Sequence, residues 1–143
     1  MKLEEIYVEW DKDSKIDTTE LGEESIKIPS LHNKYFKVYT SEKLLLRKYE
    51  AELRQLKLDK YEFYTMGPNE DTPKDWKLPP RGMILKADIP MYLEGDKDLI
   101  ELSLKIGYQQ EKIDLLESII KSLTNRGFQI KAAIDWHKFT MGA

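Results

Sequence analysis

Leu99, Leu102, Ile106, Gln109, Ile113, Leu116, Ile120 and Leu123 recur every three or four residues, and this unbroken repeat constrains the chain more than any other feature. Residues so spaced line one side of an α-helix, and a helix with such a seam packs along its length. Only Gln109 among the eight is polar. A second, looser repeat through Leu46, Tyr49, Leu53, Leu56 and Phe63 marks another long helix. No run alternates apolar and polar residues as a half-buried strand would, so the fold class expected is all-α, with two long amphipathic helices and several short ones.

The remaining elements follow from their punctuation. Leu3, Ile6, Tyr7 and Trp10 make the first dozen residues a short amphipathic helix. Asp17-Thr18-Thr19-Glu20 has a capping-box layout that starts a second helix, which Pro29 ends or kinks. Ser30 then caps a third helix running to about Tyr64. Residues 66–88 hold Pro68, Pro73, Pro79 and Pro80 without a helical period and read as a connector. A single turn is expected at Ile89-Pro90, and Asp96 caps the second long helix. Thr124-Asn125-Arg126-Gly127 interrupts that helix before a short final one containing Ile130, Ala133, Ile134, His137 and Met141. At 143 residues the whole chain, 1–143, is expected to form one domain.

Composition removes several functions. The chain has no cysteine, which excludes thiolate metal sites and thiol nucleophiles and suits a reducing compartment such as the cytosol. Its longest apolar runs are a few residues, far short of the roughly 20 that span a bilayer, so no membrane contact is expected. The start, Met1-Lys2-Leu3-Glu4-Glu5-Ile6, lacks the layout of a secretory signal, so the chain is expected to begin without a cleaved leader. His32 and His137 are far apart with no ligand partner at helical spacing, Asp96-Lys97-Asp98 lacks the glycine and distal glutamate of a calcium loop, and no glycine-rich phosphate cradle occurs. No serine or threonine lies in an activating context. No metal, cofactor or catalytic residue is expected, and the chain reads as a binding protein rather than an enzyme.

Charge is unevenly placed. The formal net charge is −3, yet residues 1–26 carry nine acidic and three basic side chains, whereas residues 34–60 carry eight basic and four acidic. Within the basic stretch, Lys57, Lys60, Tyr61 and Tyr64 fall at i, i+3, i+4 and i+7, which sets two cations and two aromatics on one helical sector. Single-stranded nucleic acid offers phosphates to lysine and unpaired bases to aromatic rings, so the pattern suits it. The competing reading is that the tyrosines pack in the core and the lysines form its wet edge. The acidic start either mimics DNA towards a basic partner or keeps the protein soluble, and solubility is the favoured reading.

Longer stretches carry a resemblance. Leu3-Glu4-Glu5-Ile6 with Lys12-Asp13 and Ile16-Asp17, Glu24-Ser25-Ile26-Lys27-Ile28-Pro29-Ser30-Leu31-His32, Lys60-Tyr61-Glu62-Phe63-Tyr64 leading to Gly67, and Asn125-Arg126-Gly127-Phe128-Gln129-Ile130-Lys131 resemble the UvsY family, the recombination mediators of T4-like bacteriophages. The resemblance implies a ring-forming helical protein, a hexamer or heptamer, that acts in DNA recombination, repair and replication. Such a protein binds single-stranded DNA and helps a RecA-like phage recombinase replace the phage single-strand-binding protein, in the cytoplasm of the infected host cell. It also implies a pair of basic residues before the aromatic turn. Lys60 matches the second, whereas the first falls on Leu58, with Lys57 as the adjacent substitute. Arg54 lies one turn back, and Tyr61 and Tyr64 are the stacking candidates.

Pattern and resemblance together assign self-association to Leu102, Ile106, Ile113, Leu116, Ile120, Leu123, Phe128, Ile130 and Ile134, a set larger than one protomer needs. The alternatives are a monomeric bundle whose seams pair with each other, a coiled-coil scaffold without nucleic-acid binding, and an enzyme whose site leaves no motif.

Overall fold

The computed structural model describes residues 1–142. Four α-helices follow in chain order: α1 (Leu3–Asp13), α2 (Leu21–Met66), α3 (Ile89–Glu94) and α4 (Lys97–Thr140). A 3-10 turn at Lys86–Asp88 leads into α3, and no strand occurs among the described residues. The expected all-α architecture with two long helices is what the chain adopts.

Three expected breaks are absent or displaced. α2 runs through Pro29 without ending, so the separate helices expected before and after it are one. An interior proline costs roughly 3 kcal/mol, and the packing of Leu31, Tyr35 and Val38 just beyond it offsets that cost. α4 likewise passes through Thr124 to Gly127, because Leu123, Arg126 and Ile130 are buried on either side of the glycine and hold the helix in register. Asp17 does not cap α2: its Oδ1 accepts hydrogen bonds from the N–H and hydroxyl of Thr19, a local turn, and the helix starts at Leu21.

The chain divides into two compact units. The first comprises Met1–Leu44 and the residues from Gln109 onward. Its core joins Ile6, Tyr35, Leu116, Ile119 and Leu123, with Trp10, Leu31, Val38 and Ile120 packed against it. The ring of Trp10 meets that of Tyr35 edge-on at 5.5 Å. Gln109, the polar member of the seam, donates to the backbone oxygen and Oε2 of buried Glu42, which also accepts from Lys112. Burial alone would raise the pKa of Glu42, but the hydrogen bonds from Lys112, Gln109 and the N-terminal amine hold it below the usual carboxylate value.

The second unit is Leu45–Tyr108. Leu46, Phe63, Tyr64, Ile89 and Leu99 are its buried apolar residues. Phe63 meets Trp76 edge-on at 5.5 Å, which ties the proline-rich stretch to α2, and Tyr64 lies 6.0 Å from Tyr92 of α3.

Candidate nucleic-acid interface

Lys57, Lys60, Tyr61 and Tyr64 occupy one sector of α2, but the boundary of the core runs through it. Lys60 is 4 % exposed, and its ammonium donates to Asp98 Oδ2 at 2.7 Å and lies 3.1 Å from Asp96 Oδ2. The Trp76 ring covers the same ammonium at 3.8 Å from its centroid. Tyr64 is also buried and donates its hydroxyl to Asp96. Asp96 does cap α4, accepting from the N–H of Leu99 at 3.0 Å. Burial raises the Asp96 pKa, but the hydrogen bonds from Tyr64, Leu99 and Lys60 outweigh it and the net shift is downward. Burial also pushes the Tyr64 phenol up, as do its bond to Asp96 and the charge there.

Lys60 and Tyr64 therefore face inward: Tyr64 packs in the core, as the competing reading has it, whereas buried Lys60 is part of neither a strand-binding face nor a wet edge. The reason is geometric: residues at i, i+3, i+4 and i+7 spread over a face about 100° wide, and a core boundary can divide it. Lys60 is held by two carboxylates and an aromatic ring within its own unit, and only its alkyl stem and ammonium were legible as a cation. Its partners were not. Asp96 reads from sequence as a cap, and nothing local links Trp76 to Lys60.

Lys57, Tyr61 and Arg54 are exposed, at i+3, i+7 and i of one face. Arg47 lies two turns before Arg54 on the same side of α2 and is also exposed, a position whose heptad spacing from Arg54 was the available signal. Arg47, Arg54 and Lys57 form no ion pair among the described residues. From Arg47 to Tyr61 the helix rises about 21 Å. Arg47, Arg54 and Lys57 thus form a row of cations that ends in an exposed phenol ring and has the exposed carboxylate of Glu50 between Arg47 and Arg54. The opposite chemistry lies at the end of α2, where a cleft of about 620 Å³ is lined by Phe63, Met66 and Trp76 with Asp59, Glu62 and Asp71 around them. Those carboxylates repel phosphate.

The residues expected to mediate self-association divide as well. Ile113, Leu116, Leu123 and Ile130 are buried within the chain, and Leu102, Ile106, Ile120 and Ile134 are half-buried. Only Phe128 is fully outside, at 75 % exposure.

The family model of UvsY, described as a recombination, repair and ssDNA binding protein, matches residues 9–143. The chain belongs to the UvsY family. The recombination protein uvsY of Enterobacteria phage T4 is 24% identical over 143 residues, covering 99% of this chain and 99% of that protein. Two crystal structures of the bacteriophage T4 recombination mediator protein UvsY share the fold. One has a TM-score of 0.80 at 26% identity over 99% of this chain and 98% of that one. The other has a TM-score of 0.79 at 24% identity over 98% and 99%. The chain thus shares the UvsY fold, and Leu58, on which the resemblance places the first of the two basic residues, is half exposed and uncharged.

Proposed function

We propose that this UvsY-family chain binds single-stranded DNA as a recombination mediator, loading a RecA-like phage recombinase onto strands covered by the phage single-strand-binding protein. The observation that carries the binding step is the exposed, unpaired row of Arg47, Arg54 and Lys57 with Tyr61 at its end. The cations neutralise phosphates and release counterions, while the phenol ring offers a face to an unpaired base. Lys60 serves this site from behind, as the ion-paired pin of the unit. The reading involves no bond-making chemistry: the protein acts by holding the strand in a form on which the recombinase nucleates. Its setting is the cytoplasm of the infected cell.

A homo-oligomeric ring, a hexamer or heptamer, completes the reading. Repetition of the basic row multiplies phosphate contacts and lets a protomer of net negative charge bind tightly. The apolar groups left outside α4, Phe128, Trp136 and Phe139, supply the contact between copies. The coiled-coil scaffold remains the competing reading, and binding decides between them. Anisotropy of a labelled oligo-dT should rise on titration with the unaltered protein at low salt and respond far less to Arg54→Ala/Lys57→Ala. No binding by the unaltered protein even at low salt would establish the scaffold instead.

A further inference from the structure

Three ring side chains stand in a row on α2 within the first unit. His32 and Phe36 are stacked, with centroids 5.7 Å apart and planes 12° from parallel. Tyr39 follows at 5.9 Å from Phe36. Phe36 is 48 % exposed, and none of the three belongs to the buried core, although Tyr39 leans on its edge. Single exposed apolar residues are ordinary, but a stacked pair with a third ring tilted 37° beside it is a surface of definite chemistry.

Tyr39 anchors one end of the row. Tyr39 donates its hydroxyl to Glu117 at 2.9 Å and accepts from Lys43 at 3.1 Å, and the Lys43 ammonium lies over the same ring at 5.2 Å. Lys37, next to Phe36 in sequence, is exposed and forms no ion pair among the described residues. Adjacent rings, with the Lys43 ammonium at their end and Lys37 on the neighbouring side of the helix, match a ligand of flat π-faces joined by anions.

We propose that His32, Phe36 and Tyr39 form a base-stacking platform for single-stranded DNA, with Lys37 and Lys43 as its phosphate contacts. The proposal rests on the strand-binding reading above and adds residues to it. From His32 to Lys43 the helix rises about 16 Å, the reach of a few nucleotides. Stacking is independent of base identity and of counterions, so the rings add affinity without sequence preference and without steepening the salt dependence.

The test compares oligo-dT with an abasic oligonucleotide of the same length, using the full chain and its Phe36→Leu, Phe36→Trp and Arg54→Ala/Lys57→Ala variants. Phe36→Leu keeps an apolar side chain but removes the ring. It should weaken oligo-dT binding about tenfold, leave the salt slope unchanged and erase most of the preference for oligo-dT over the abasic strand. Phe36→Trp should retain affinity, and its added indole fluorescence should be quenched by oligo-dT. Unchanged affinity and base preference in Phe36→Leu, alongside weakened binding by Arg54→Ala/Lys57→Ala, would overturn the platform and leave the basic row standing. A shift of Phe36→Leu to a smaller species on a sizing column with base preference intact would assign the rings to self-association and overturn it too. If the unaltered protein binds neither strand, the functional reading fails first and the platform with it.

Discussion

Lys60 and Lys57 are three residues apart on one helix, yet they have different physical environments. Lys60 lies against Asp96, Asp98 and Trp76, whereas Lys57 faces solvent. Removing the ammonium in Lys60→Met leaves buried Asp96 without its cation, a loss of about 3 kcal/mol for a buried pair. Its melting temperature should fall by several degrees, whereas Lys57→Ala should melt like the unaltered protein. Calorimetry separates the two. Asp96 adds a pH dependence of defined sign. Its folded pKa lies below the ordinary value, so its contribution is complete above the unfolded pKa of roughly 3.9 and is lost as pH falls through the folded value. Glu42 behaves the same way in the other unit. Thermal stability should therefore be flat between about pH 8 and 5 and fall below about pH 4. Asp96→Asn should lower it at neutral pH and flatten part of the acid limb, and an acid limb of unchanged depth would contradict this role for Asp96.

The long helices show which sequence signals govern and which yield. The three-four repeat from Leu99 to Leu123 lies wholly within α4, which runs on to Thr140. Pro29 and Gly127, the strongest local breakers, do not end their helices, since tertiary packing at Tyr35, Leu123 and Ile130 exceeds the cost of one missing hydrogen bond or one flexible residue. That packing joins residues far apart in sequence and has no local signature. The glycines then separate by backbone. A Cβ at Gly127 meets nothing within 4 Å in a helical setting, so Gly127→Ala should stabilise the protein by up to about 1 kcal/mol. Gly67 follows the end of α2 at φ +82°, where a side chain is strained, and Gly67→Ala should destabilise. Paired thermal melts of opposite sign are the outcome sought.

At the scale of the molecule, the class of fold and the identity of the family were readable, and the division of labour among side chains was not. The spacing that suggested one stripe of Lys57, Lys60, Tyr61 and Tyr64 carries no record of where the core boundary falls, because that boundary depends on Trp76 and Asp96 arriving from later in the chain. The same applies to assembly. Ile120 is half-buried against the core of the first unit, so Ile120→Glu should lower the melting temperature rather than only release smaller species. Phe139 is 73 % exposed and stacks on Trp136 at 5.7 Å, so Phe139→Glu should release smaller species with the melting of the protomer little changed. Sizing chromatography beside thermal melts tests both.

The central claim is that the strand is held by the exposed cations of α2 while Lys60 holds the unit together. It is tested most directly by the slope of log affinity against log salt for oligo-dT, measured for the unaltered protein, Arg54→Ala/Lys57→Ala and Lys60→Met at a temperature where all three are folded. Each single-strand phosphate that the protein no longer neutralises lowers the slope by about 0.7. The account predicts a shallower slope for the Arg54→Ala/Lys57→Ala variant and an unaltered slope for Lys60→Met. A slope reduced in Lys60→Met but not in the double variant would contradict it.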